Sequence, residues 1–342
     1  MDIYIEKGKG KIGQGGRVEI QRNREEKEKI IHEDILFPAK KIKEWKGLFA
    51  SFDEINEIRL RVNQPVLLYG KGRESYITLE GELSQSEKDC KKISAQELQE
   101  LMQHWCQNSR YAYEQQIKRG YLTLKRGHRV GLCGEAVVKK NSIATLKYIS
   151  SVNIRIAHEI KGVSLPLLPY LYEKNRVKNI LILSEPGAGK TTLLRDLIRN
   201  ISQGSKEKKG RTVSLIDERK EIAACYQGIP QLDVGMRTDV LDDCPKVCGM
   251  EMVLRSMSPG VIAVDEIGGK KEIKLLKQMN KCGCSILATV HASCLEDFWK
   301  KKRYEELKKE ELFDLIIELT KKQDGFHGRI WDREEGKICW LY

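Results

Sequence analysis

Residues 183–197 read LSEPGAGKTTLLRDL. The apolar run NILIL (179–183) leads into this stretch, and the amphipathic TTLLRDLIRNI (191–201) carries it on. Strand, glycine-containing loop and helix in that order make an anion site, because loop amides and a helix N-terminus converge on one point. The pattern G-x-x-x-x-G-K-[ST] is met at every defining position except the first, where Ser184 stands in place of glycine. Serine is small enough for a strand end whose φ is negative, so the expected loss is one of ideal geometry rather than of the site.

The loop Ser184, Glu185, Pro186, Gly187, Ala188, Gly189, Lys190, Thr191 and Thr192 is therefore read as holding the phosphates of ATP. Lys190 would reach the β- and γ-phosphates, and Thr191 would hold Mg²⁺ through its hydroxyl. Gly187 and Gly189 let the backbone curl toward the anion. A second element follows at VIAVDEIGG (261–269), where four apolar residues end in an acidic pair. Asp265 is expected to hold Mg²⁺ through water, and Glu266 to orient and deprotonate the attacking water.

Two more apolar segments end in polar groups. TVSLIDERKEI (212–222) gives Asp217, Glu218 and Arg219, and CSILATVHAS (284–293) gives Thr289 and His291. Apolar strands alternating with helices from residue 179 onward predict a parallel sheet covered on both faces. Ligands bind beyond the carboxyl ends of such strands, so all four strand ends are expected on one crevice. His291 is a candidate γ-phosphate sensor. Arg237, in GMRTDV, and Arg255, in VLRSMSPG, are candidates to neutralise charge on the transferred phosphoryl group, within the chain or across a subunit interface.

The rest of the chain bounds the reading. With 342 residues, two or three domains are expected. The fold class is α/β: a C-terminal RecA-like P-loop domain with a parallel sheet (177–342), preceded by a smaller α+β N-terminal domain (35–163). A basic, flexible tail (1–34) comes before them, and a proline-marked linker (164–176) lies between them. INEIRLRVNQPVLLYG (55–70) reads as a strand hairpin, and Ser94 as the cap of a helix running through QELQELMQHW. ELFDLIIELTKK (311–322) reads as a closing helix, and RIWDREEGKICWLY (329–342) as a hairpin. No apolar run approaches the roughly 18 residues a bilayer span needs, and the polar, glycine-rich N-terminus carries no signal peptide, so a cytoplasmic protein is expected. The pairs Cys244/Cys248 and Cys282/Cys284, among ten cysteines, lack C-x-x-C spacing and read as small buried hydrophobes rather than zinc ligands. The net charge of +12 is compatible with nucleic acid, an anionic membrane surface or an acidic partner.

With these residues laid out, the chain resembles the stage III sporulation protein AA family, endospore-former ATPases related to type II and type IV secretion ATPases. The resemblance spans roughly residues 35–342. Its most specific stretches are GHRVGLCGE (127–135), SSVNIRIAHE (150–159), PGAGKTTLLRDLIR (186–199), IDERKEIAACYQGIPQLDVGMRTDVLDDCPK (216–246) and RSMSPGVIAVDEIG (255–268). It implies an acidic box at Asp217 and Glu218, a Walker B glutamate at Glu266, a histidine box at His291 and an arginine before the Walker B strand at Arg255. It implies hexamers, with ATP between the two domains and near a neighbouring subunit. Those relatives usually carry Gly-Glu where this chain has Asp265-Glu266. They commonly place an arginine where it has Gly268, so the arginine contribution falls to Arg237 or to an N-terminal-domain residue such as Arg155.

The implied role is to energise the channel joining mother cell and forespore, from the mother-cell cytoplasm. The implied association is peripheral, with membrane proteins of the sporulation channel complex. A nucleic-acid-dependent ATPase is the alternative reading. It is less favoured because no aromatic-interleaved basic stripe stands out and no appended nucleic-acid-binding domain is expected. A nucleotide-gated scaffold without turnover rests on Ser184 alone.

Overall fold

Ile58 and Leu60 are buried while Glu57, Arg59 and Arg61, which alternate with them, are not, the pattern of a strand with one face on a core. The computed structural model that contains this strand describes residues 33–341, apart from 306, 308–310, 323, 324, 334 and 335. Most of the expected N-terminal tail lies outside the described residues. The chain divides into two compact units, Met1–Ala157 and His158–Tyr342.

In the first unit the strands are β1 (Glu57–Arg61), β2 (Leu67–Gly70), β3 (Arg73–Ile77), β4 (Leu83–Ser84), β5 (Tyr121–Thr123), β6 (Arg129–Lys139) and β7 (Ser142–Arg155). They form one antiparallel sheet in the order β4-β3-β2-β1-β7-β6-β5. The helices are α1 (Lys46–Ala50), α2 (Ala95–Trp105) and α3 (Glu114–Lys118). The Ser94 hydroxyl accepts from the Glu97 amide at 3.1 Å and the Glu97 carboxylate accepts from the Ser94 amide at 2.9 Å, a reciprocal cap that fixes where α2 starts. Leu98, Leu101, Met102 and Trp105 on one side of α2 then close the core over Ile58, Leu60 and Leu68.

The second unit is built on a sheet in the order β12-β11-β13-β14-β10-β15-β16-β17. A small hairpin, β8 (Tyr172–Glu173) and β9 (Arg176–Val177), precedes it. The sheet strands are β10 (Ile180–Ser184), β11 (Val213–Asp217), β12 (Thr238–Asp242), β13 (Val261–Val264), β14 (Ser285–His291), β15 (Leu315–Lys322), β16 (Gly325–Asp332) and β17 (Gly336–Leu341). The six from β12 across to β15 are parallel; β16 and β17 continue antiparallel. Ile180 and Ile182 of β10 enter one core and Leu181 and Leu183 the other, so the sheet is buried on both faces. The first core is closed by Leu193, Leu194, Leu197, Ile198 and Ile201 of α4 (Lys190–Gln203). The second is closed by α5 (Lys246–Ser256), α6 (Lys270–Lys281) and α7 (Leu295–Lys300), through Met250, Val253, Ile273, Leu276, Met279 and Phe298.

Three expectations are corrected. Residues 164–176 are not a free linker: Leu167 and Leu171 are wholly buried in the core under α4, and the second unit begins at His158. Residues 311–322 are not a helix. LIIEL lies inside the sheet as β15, with Leu315 paired to Ile180 and Leu319 to Ser184. A short apolar run has the same composition in a buried strand and a buried helix, and only its neighbours decide. The cysteine reading holds for Cys284, but Cys248 and Cys282 are exposed.

Candidate active site

Ser184 is the last residue of β10 and is paired on both sides, with His291 of β14 and Leu319 of β15. Its φ is not positive, its side chain is fully buried, and its hydroxyl donates to the Glu185 carbonyl at 3.1 Å. The strand end thus makes no demand for glycine. The demand falls later, where Gly187 and Gly189 hold φ of +78° and +81°. A side chain on Gly187 would meet no protein atom, so its requirement is the backbone angle and the open approach to the loop. Within the loop the Ala188 amide donates to the Glu185 carbonyl at 3.4 Å, and the first helical amide bonded back is that of Leu193, to the Gly189 carbonyl at 2.9 Å. The amides of Lys190, Thr191 and Thr192 open the helix and have no intrahelical acceptor. Free amides, positive-φ glycines and the open space beside Gly187 make an anion cradle, and the residues present fit a nucleotide phosphate.

The strand register brings the other groups to this loop. Lys190 Nζ lies 3.2 Å from Nδ1 and 3.4 Å from Nε2 of His291. Nε2 of His291 in turn meets Oε1 of Glu266, and Arg219 Nη1 lies 2.7 Å from Oε2 of the same carboxylate. The Glu266 amide donates to the Thr289 hydroxyl at 2.7 Å, and that hydroxyl donates to Oδ1 of Asp265. Glu266 sits at φ +54°, a left-handed backbone that a non-glycine residue adopts at a cost. Lys190 is almost wholly buried, and that burial lowers its pKa. The charges of Asp265, Glu266 and Glu221 pull it back up, and Arg219 pushes it down.

Asp217 is in the crevice wall but faces away from chemistry. Its oxygens accept the amides of Glu221 at 2.9 Å, Ile222 at 3.1 Å and Ala223 at 2.9 Å. Burial pushes this carboxyl up, the three amides pull it down, and the charge of Asp265 adds to the rise, which prevails. The buried Arg195 of α4 donates to the carbonyls of the same loop, at Glu221 and Ile222. Glu218 is half-exposed and pairs with Lys246 at 3.0 Å. Lys246 also donates to the Glu266 carbonyl at 3.0 Å, a bridge between two strand ends that nothing in the sequence spacing announces.

Two expected site residues are not brought here. Arg237 stands just before β12, at the starting edge of the sheet, and its Nη1 donates to the carbonyls of Ser202 at 2.9 Å and Gln203 at 3.3 Å. It caps the last turn of α4, and the strand of about 16 Å beyond it separates it from the crevice. Arg255 is exposed in the last turn of α5, whose first residue, Lys246, is the one at the crevice. Nine residues of helix put it about 13 Å away, toward the same starting edge. Neither reaches the crevice of its own chain. Arg155 ends β7 in the first unit, 3.6 Å from Glu57. At Gly268 a side chain would begin 3.8 Å from Nη1 of Arg303, so a guanidinium does stand beside the position where sequence reasoning noted the missing arginine.

The fold is shared with solved structures of an ATPase and of a pilus motor. The structure of the ATPase DotB of Legionella pneumophila superposes with a TM-score of 0.54 at 17% identity, covering 84% of this chain and 79% of that one. The pilus retraction motor PilT with bound ADP gives 0.52 at 13%, covering 81% and 78%. The chain belongs to the family described as Sporulation stage III, protein AA, whose model matches residues 21–338. It is 39% identical over 282 residues to stage III sporulation protein AA of Bacillus subtilis strain 168, covering 82% of this chain and 88% of that protein.

Proposed function

We propose that this chain is an ATP-hydrolysing motor of the secretion-ATPase type, with a RecA-like second unit. The observation that carries the reading is the meeting of Lys190, Asp265, Glu266 and His291 around a loop with two positive-φ glycines. The amides of Lys190, Thr191 and Thr192, the glycine loop before them and the Lys190 ammonium would hold the phosphates of ATP, and Thr191 with Asp265 would hold Mg²⁺. The metal, when bound, supplies charge neutralisation at the phosphates. Glu266 would orient the attacking water and take its proton, with its backbone fixed by Thr289 and Lys246. His291, against both Lys190 and Glu266, is placed to relay whether the terminal phosphate is present. Glu218 holds Lys246 and so acts through it.

The resemblance to secretion ATPases read from the sequence supports an assembly of several copies, read here as a hexamer, in which Arg255 would act on a neighbour's crevice. Family membership supports a role in endospore formation: energising the mother-cell-to-forespore channel from the mother-cell cytoplasm, docked peripherally on the membrane proteins of that complex. Among the described residues no helix is long and apolar enough to cross a membrane.

The test is steady-state ATP hydrolysis by the purified chain, with and without single-stranded DNA and RNA. A rate abolished by Lys190→Ala and by Glu266→Gln and indifferent to nucleic acid is expected. A rate that survives Lys190→Ala overturns the site. Strong stimulation by nucleic acid transfers the reading to a nucleic-acid-dependent ATPase.

A further inference from the structure

Arg219, two residues beyond the end of β11, reaches into the crevice at Glu266. It holds Oε2 of Glu266 at 2.7 Å while His291 meets Oε1, so both oxygens of the water-orienting carboxylate are engaged. The Arg219 side chain is 59% exposed, against 20% for that of Glu266. An ion pair exposed to that degree is screened by solvent and contributes too little to explain a stabilising role. The backbone beneath it is held far more firmly. Asp217 takes three amides of residues 221–223, and Arg195 takes two carbonyls of the same turn. A weakly held guanidinium on a firmly held loop is the arrangement of a group that changes partner while its base stays still. Arg237 and Arg255 lie toward the opposite edge of the sheet, and Arg303 is stacked on the Tyr304 ring at 4.7 Å.

We propose that Arg219 makes the direct contact by which this crevice distinguishes a nucleoside triphosphate from a diphosphate, with His291 relaying the change between Lys190 and Glu266. Its guanidinium leaves Oε2 of Glu266 for the terminal phosphoryl oxygens, which its planar fork of donors matches. The exchange frees that carboxylate oxygen for the attacking water. The absence of a terminal phosphate returns Arg219 to Glu266 and closes the carboxylate again. The inference rests on the reading of the crevice as an ATP site.

The experiment is equilibrium binding to the full chain, with Mg²⁺, of fluorescent ADP and of a fluorescent non-hydrolysable ATP analogue. Wild type, Arg219→Ala, Arg219→Lys, Glu266→Gln, Lys190→Ala and the Arg219→Ala/Glu266→Gln double variant are compared, with circular dichroism to check folding. The expected result is a loss of about tenfold in triphosphate affinity for Arg219→Ala, with diphosphate affinity within about twofold of wild type. Arg219→Lys recovers part of the loss. Glu266→Gln, which removes the competitor for the guanidinium, tightens triphosphate binding severalfold more when Arg219 is present than when it is alanine. Equal losses for the two nucleotides, no loss at all, or a wild type that does not prefer the triphosphate each overturn the proposal. If wild type binds neither nucleotide, or Lys190→Ala binds both as well as wild type, the ATP-site reading itself has failed.

Discussion

Asp217→Ala tests whether the residue that the sequence groups with the acidic catalytic set is instead the fastener of the loop that carries Glu218 and Arg219. The carboxylate is 1% exposed and accepts three backbone amides, at 2.9, 3.1 and 2.9 Å. Alanine leaves those donors with no acceptor in place. Each buried, unsatisfied donor costs about 1–3 kcal/mol, and water entering the vacated volume recovers part of that, so a net loss of roughly 2–5 kcal/mol is expected. For a unit of this size that is a fall in Tm of roughly 5–20 °C. Asp217→Asn keeps one oxygen but turns an NH₂ group toward amides, and is expected to cost about half as much. The assay is thermal and urea unfolding of the full chain, followed by circular dichroism.

Linkage adds a second readout. Because burial holds the folded pKa of Asp217 above its ordinary value, its contribution to stability is fully present below about pH 4. That contribution is lost as pH rises through the folded pKa, and Asp217→Asn removes this part of the pH dependence. A variant within about 0.5 kcal/mol of wild-type stability but without hydrolysis would refute the reasoning, because it would make Asp217 a chemical group rather than a structural one.

Three further outcomes follow from the same geometry. Ser184→Gly, which restores the missing motif residue, is expected to lower stability by roughly 1–2 kcal/mol in urea unfolding, through strand entropy and the lost hydroxyl bond, without accelerating ATP hydrolysis. A severalfold faster rate would show that the serine strains the loop. Since burial lowers the Lys190 pKa and bound phosphate would raise it, nucleotide binding in alkaline buffer should take up protons and weaken as pH rises. Calorimetry in two buffers of different ionisation enthalpy reads this directly, and identical heats would contradict it. Arg237→Ala should cost about 1 kcal/mol by uncapping α4 while nucleotide affinity stays as in wild type. A tenfold drop in affinity would restore Arg237 to the site.

How much was legible in the chain alone varied with the kind of signal. NILIL followed by a glycine loop and an amphipathic helix fixed β10, the loop and α4, because a strand entering a glycine loop and an i, i+4 stripe are local properties. VIAVDE and SILATVH were legible for the same reason, and parallel register then put Ser184 beside His291. β15 was not legible, since LIIEL has no period that separates strand from buried helix and was assigned only by pairing with β10. Residues 164–176 looked like a linker because proline marks a connection, but nothing in proline says whether Leu167 and Leu171 beside it are buried.

The site divides along the same line. The sequence by itself determined which residue types stand at the start of α4 and at the strand ends: Lys190 and Thr191, then Asp265, Glu266 and His291, each read from its own neighbours. Only the tertiary structure decided what each arginine and acid does. Arg237 and Arg255 went to the starting edge of the sheet, Asp217 turned into its own loop, and Arg219 and Lys246 came to Glu266 from other segments. Strand and loop motifs are written in contiguous residues. A long charged side chain has no preferred partner until the sheet order, the strand direction and the burial around it are set.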